Sequence, residues 1–184
     1  ASIRKELGIR TVFNFLGPFL NPAHVKRQLI GVPNPAIAKK LASVAVRLGY
    51  EHALIVSSKD GMDEISIASP TQIYEIKDKK ITSRVIKPSQ FNLKKAPLSV
   101  IAGGDASKNS STILEILEGR RSSYRDIVVL NSAHALYVSG KAKSVKEGIV
   151  LSQDAVDSGA AMQILQELIK ETKRYAQLVR RNPK

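Results

Sequence analysis

Between Gln28 and Val56 the chain passes through an apolar stretch, a helix-like stretch and a second apolar stretch, and this order constrains the fold more than any other feature. Gln28 to Val32 suits a buried strand. Asn34 then serves as an N-cap with Pro35 at the first helical position, where its missing N–H costs nothing. Ile37, Leu41, Val44, Ala45 and Leu48 recur at helical spacing until Gly49 supplies a stop, and Ala53 to Val56 reads as a second buried strand. Joined this way, the three elements form a right-handed crossover that sets both strands parallel in one sheet.

Beyond Lys59–Glu64 the pattern shortens. Ile65–Ala68, Thr71–Ile76 and Ile81–Ile86 are β-like runs, and the turn Asp78-Lys79-Lys80 makes the last two a hairpin. Lys87–Pro97 reads as a basic loop. After Gly103-Gly104 helices are predicted over Ser107–Glu118, Tyr124–Ser139 and Ser144–Ser158, the first two stopped by Gly119 and Gly140. Ser144 and Glu147 form a capping box in which each satisfies the other's exposed backbone donor. A last helix, about Ala160–Arg180, gathers Met162, Leu165, Leu168 and Ile169 on one face. The expected architecture is α/β: a mainly parallel sheet flanked by helices in three layers, with a C-terminal helical cluster, as a single unit over 1–184.

Composition narrows the functional classes. A 184-residue chain with 43% hydrophobic residues can bury a sizeable core. Without cysteine it has no disulfide, thiolate metal site or thiol nucleophile, which fits a reducing compartment. No run approaches the roughly 18 apolar residues of a membrane span, and no secretory signal opens the chain. The expectation is a soluble cytoplasmic protein with no membrane partner. The net charge of +13 favours phosphates, nucleic acid or acidic metabolites as partners. Much of it lies in 77–95 and 170–184, which as plain charge runs read as solvated faces. With 5% aromatic residues, no basic and aromatic stripe suggests a single-strand binding platform.

Several residues carry chemistry by type. Asp63 and Glu64 are the candidate metal ligands, because hard divalent cations prefer carboxylate oxygens and often take one or two from protein. Neighbours in a strand point to opposite faces, so both can serve one site only if the chain turns, and Asp60-Gly61 gives it reason to. Taken locally, the pair reads rather as an ordinary solvated acidic loop. Arg4 offers a planar fork for a carboxylate, but on its own, within an RKE cluster, it reads as an ordinary surface charge. Gly17-Pro18 and Asn21-Pro22 suit either a pocket-lining loop or a structural turn. Gly103-Gly104-Asp105 lacks the lysine and hydroxyl residue of a P-loop and reads as a turn capping the next helix. His24, His52 and His134 have no metal or triad spacing. Asn131 and Tyr137 lie within an apolar helix and are expected to make internal hydrogen bonds.

Four segments in this order, RKELGIRTVFNFLGPFLNPA (Arg4–Ala23), KDGMDEIS (Lys59–Ser66), GGDASKN (Gly103–Asn109) and VVLNSAHALYVSGKAKSVKEG (Val128–Gly148), resemble the signature of the anthranilate phosphoribosyltransferases. The resemblance spans nearly the whole chain, yet corresponds to the C-terminal half of such an enzyme. It implies transfer of the phosphoribosyl group from phosphoribosyl pyrophosphate to anthranilate in tryptophan biosynthesis. It also implies Mg2+ as cofactor held by Asp63 and Glu64, anthranilate gripped by Arg4, and Gly17 and Pro18 bordering the anthranilate site. The family's N-terminal helical region and glycine-rich pyrophosphate loop are absent from the sequence. The chain alone is therefore expected to be inactive, with its own missing N-terminal half as a partner and a homodimer for the full-length enzyme. Exposed sheet edge and apolar surface would accompany that loss. Ser57-Ser58 stands where the family usually has His-Gly. A nucleoside phosphorylase of related fold, and a nucleic-acid-binding relative favoured by the net charge, stand as alternatives; nucleic acid is the less expected partner.

Overall fold

The computed structural model describes residues 16–93 and 95–181. Its centre is a four-stranded sheet of β1 (Arg27–Gly31), β2 (His52–Ser58), β3 (Thr71–Lys77) and β4 (Lys80–Ile86), paired in that order. Helix α1 (Pro35–Arg47) joins β1 to β2, which run parallel with Arg27 opposite His52 and Gly31 opposite Val56. The Asn34 side chain accepts the Ala36 N–H at 2.9 Å, so the cap read from sequence forms.

The α/β class and the helical cluster are as expected; the sheet is less parallel than expected. Among the described strands only β1–β2 pair in parallel, while β2–β3 and β3–β4 are antiparallel. The connection 59–70 contains no helix that could carry the chain back across the sheet. The β3–β4 turn places Asp78 and Lys79 at positive φ, 50° and 61°, the twist a two-residue hairpin requires.

Strand alternation sorts β2 into two cores. Ala53 and Ile55 face α1, where Ala38, Ala42 and Ala45 let the helix lie close to the sheet. Leu54 and Val56 face Ile127, Leu130 and Val138 of α3 (Ser123–Ser139). Every residue of β2 is buried, which explains its unbroken apolar run. Strand β4 carries mainly exposed residues, as an edge strand should.

Ile65–Ala68, expected as a strand, is irregular because side chains replace the ladder. Asn131 accepts the Ile65 N–H at 3.0 Å and donates to the Ile65 carbonyl at 2.9 Å, while Thr71 Oγ1 accepts the Ser66 N–H. Ser66 Oγ in turn accepts the Ala68 N–H.

Helices α2 (Ala106–Leu117), α3, α4 (Val145–Asp157) and α5 (Ala160–Arg181) form the C-terminal cluster. Gly103-Gly104 is the capping turn anticipated, with Asp105 accepting from Lys108 and Asn109 bonded to both backbone groups of Gly104. The capping box at α4 is shifted: Ser144 accepts the Glu147 N–H, but Glu147 takes the N–H of Lys143. Buried Arg125 donates to Gly119 O and to Asp157, each at 2.8 Å, and holds the Asp157 carboxyl below its usual range. Gly148 lies so near Ala133 that a Cβ would sit 2.5 Å from its carbonyl oxygen, which fixes the α3–α4 approach. On α5, Met162 and Leu165 are partly covered while Leu168 and Ile169 are exposed. The 22-residue α5 outruns the 13-residue α4 beside it by roughly 13 Å at 1.5 Å per residue.

Two polar groups lie in the interior between sheet and α3. Burial alone would raise the Glu75 carboxyl, but hydrogen bonds from Arg84, Tyr137 and His52 outweigh it and hold the group below the carboxylate range. His134 donates from Nδ1 to Leu130 O at 2.8 Å and packs edge to face on Phe91. Burial lowers its pKa to about 4, because the imidazolium would lose its hydration.

The unfolded chain therefore takes up a proton at His134 near pH 6.5 that the folded chain refuses until about pH 4. Its contribution is complete above pH 6.5 and falls with pH across that window, by about 3 kcal/mol at most. Urea unfolding from pH 7 to 4 should show this loss, and His134→Gln should flatten it; an unchanged slope in the variant would refute the assignment.

Candidate functional site

The loop leaving the C-terminal end of β2 carries Asp63 and Glu64, at the end of a parallel strand pair where α/β sheets usually take ligands. Its first turn closes on itself: Gly61 N–H donates to Ser58 O, and Ser58 N–H to Met62 O. Asp60 turns inward, accepting from Met62 N at 3.2 Å and Ser66 Oγ at 2.7 Å. Burial would raise its carboxyl, yet these bonds and one from Ser58 keep it lowered. Asp60 is thus spent on shaping the loop. The backbone bends at Asp63 and Glu64, and both side chains are exposed.

Two contacts fix where the bend sits. Gly31, the last residue of β1, lies under Asp63, and a Cβ there would fall 1.4 Å from the Asp63 carbonyl oxygen. From the other side Asn131 of α3 holds both backbone groups of Ile65, the residue after Glu64. The acidic pair is therefore pinned to β1 and α3 through backbone, which leaves its carboxylates outside those contacts. No hydrogen bond or ion pair engages either one among the described residues.

Among the described residues no group of three or more histidine or acidic side chains gathers into a metal cage. The donor set still suits a hard divalent cation of the magnesium kind, which keeps several waters and binds through one or two carboxylates plus phosphate oxygens. The chain turns at the acidic pair, as a shared site requires.

The remaining expected site residues are not gathered there. Gly17 and Pro18 start a 3-10 turn, Gly17–Phe19, whose Phe19 ring meets Tyr50 edge to face at 5.9 Å. Tyr50 precedes β2, so the turn lies at the opposite end of a seven-residue strand about 20 Å long. The turn seats Phe19 against the α1 core, at a distance from Asp63 and Glu64. Arg4 lies outside the described residues.

Gly31 is the positioning residue that sequence reading passed over, whereas Asp60 was read as part of the turn but not as its hydrogen-bond acceptor. A glycine ending an apolar strand is a sign of close backbone approach, and that signal was available. Which backbone approaches was not.

The family model described as the glycosyl transferase family a/b domain matches residues 1–162. The anthranilate phosphoribosyltransferase of Pelotomaculum thermopropionicum is 43% identical over 172 residues, covering 94% of this chain and 50% of that protein. That of Clostridium beijerinckii is 47% identical, covering 90% of this chain and 49% of the relative. Among solved structures, anthranilate phosphoribosyltransferase from Thermus thermophilus superposes with a TM-score of 0.83 at 33% identity, over 91% of this chain and 49% of that one. The Saccharomyces cerevisiae enzyme in complex with PRPP and Mg gives a TM-score of 0.83 at 30% identity, over 94% and 50%. The chain spans about half the length of the curated relatives it matches.

Asn131→Ala should strand the Ile65 N–H and carbonyl and cost about 2–3 kcal/mol in urea unfolding. Asn131→Asp, which keeps the acceptor but loses the donor, should not restore it. A loss under about 0.5 kcal/mol, the size of an ordinary surface change, would show that the clamp does not hold the loop.

Proposed function

The chain belongs to the glycosyl transferase family through its a/b domain, and from that premise we propose that it is the C-terminal half of an anthranilate phosphoribosyltransferase. The reaction moves the 5-phosphoribosyl group of phosphoribosyl pyrophosphate to the anthranilate amine and releases pyrophosphate, a step of tryptophan biosynthesis. The observation that carries this reading is the exposed Asp63–Glu64 pair, seated by Gly31 and Asn131 at the end of the parallel strands. The yeast relative bound to PRPP and Mg supports the same ligands here.

In this reading Asp63 and Glu64 hold magnesium, which when bound supplies positive charge to the departing pyrophosphate. Asp60, kept ionised by its hydrogen bonds, keeps the loop in the turned form that presents both acids. Asn131 prevents the chain from pairing as a strand at Ile65, which would send neighbouring side chains to opposite faces. Arg4 grips the anthranilate carboxylate through its planar fork and so aims the amine at the sugar. No protein nucleophile is required. The reading includes a cytoplasmic setting, a homodimer for the full-length enzyme, and dependence on the half of the enzyme outside this sequence. No described helix is long and apolar enough to cross a membrane.

Calorimetry on the full-length enzyme separates the roles. Asp63→Ala with Glu64→Ala should weaken magnesium phosphoribosyl pyrophosphate about tenfold or more while sparing anthranilate, and Arg4→Ala should do the reverse. Wild-type affinities in both variants would overturn the assignment.

A further inference from the structure

At the end of the sheet away from the acidic loop lies a cleft of about 580 Å³. The reading above makes no use of it. His52 and Tyr137 line it, their rings edge to face with centroids 5.0 Å apart, above the carboxylate of Glu75. Three cations reach it from separate parts of the fold: Lys77 from the end of β3, Lys79 from the hairpin turn and Lys143 from the loop between α3 and α4.

The other charges around this cleft are already engaged. Helices α1 and α3 finish here, and their carbonyl ends attract cations. Lys26 Nζ donates to Leu48 O at 3.1 Å and Arg27 Nη1 to Val138 O at 3.3 Å, so those ends are served. The Arg27 Nε pairs with Glu51 at 3.2 Å. Glu75 is bound by His52, Tyr137 and Arg84. Among the described residues Lys77, Lys79 and Lys143 have no carboxylate partner. Asp78 is the one acid on the rim left to oppose them.

Surplus positive charge converging on a concavity of small-ligand size, with tyrosine and histidine rings for walls, suits an anion with an organic body. We propose that this cleft binds a phosphate monoester of small-molecule size, its phosphate among Lys77, Lys79 and Lys143 and its organic part against Tyr50 and Tyr137. The site stands apart from the acidic loop by the length of β2 and needs no metal.

The test is a nuclear magnetic resonance titration of the chain with AMP in magnesium-free buffer, where the acidic loop has no cation through which to hold phosphate. Saturable shifts at residues 77–79, 137 and 143, weakening as salt is added, are expected. Lys77→Glu with Lys143→Glu should weaken binding about tenfold or more, and the milder Lys79→Gln by less, with the remaining spectrum unchanged. Asp63→Asn with Glu64→Gln should bind AMP as the unmodified chain does, and adenosine, lacking the phosphate, should not bind. Absence of saturable binding, survival of binding after charge reversal, or loss of binding in the acidic-loop variant would each overturn the proposal. None of those results bears on magnesium phosphoribosyl pyrophosphate at Asp63 and Glu64.

Discussion

Strand β2 is buried along its whole length, and the rest of the molecule answers to that condition. A strand with no exposed residue needs backbone partners on both edges and a helix over each face. Strands β1 and β3 supply the edges, α1 and α3 the faces. Because its neighbour β1 is parallel and its neighbour β3 antiparallel, the chain must leave β2 by a loop that turns back on itself. That loop carries the acidic pair.

Polar groups in the interior are placed where they tie layers together. Asn131 and Tyr137 both sit on α3, one reaching the loop backbone at Ile65 and the other the Glu75 carboxylate in the sheet. An unsatisfied amide or carboxylate would be costly in such surroundings, so α3 is held in register by polar contacts as well as by Leu130 and Val138. Glu75 keeps its charge because its hydrogen-bond donors exceed what burial takes away. His134, with one backbone acceptor, is left neutral.

The two ends of the sheet differ in electrostatic character. Asp63 and Glu64 put two exposed carboxylates beyond the C-terminal end of β2. Lysines collect at the other end, where Arg27 and Lys26 already cap the helix carbonyls. The net charge of +13 therefore does not describe the surface near the acidic loop, and reasoning from the sum alone gives little guidance to either site.

Local pattern was enough for much of this protein. The spacing from Gln28 to Val56 contained the crossover, Asp78-Lys79-Lys80 the hairpin, and Asn34, Gly119, Gly140 and Ser144 the helix ends, because each depends on neighbours within a few residues. Asp63 and Glu64 could be singled out for the same reason, by their chemistry and the turn before them. Long-range pairing decided the remainder. Ile65–Ala68 has the composition of a strand, and it became a loop because a side chain 66 positions away took both backbone groups of Ile65. Gly17-Pro18 reads locally as a turn, and only the Phe19–Tyr50 contact says which end of the sheet that turn meets. Sequence by itself determined which segments could be strands, helices and turns, since those choices rest on local backbone geometry and periodicity. Tertiary structure alone decided which backbone each side chain would meet, since contacts such as Gly31 with Asp63 exist only once distant segments share one core.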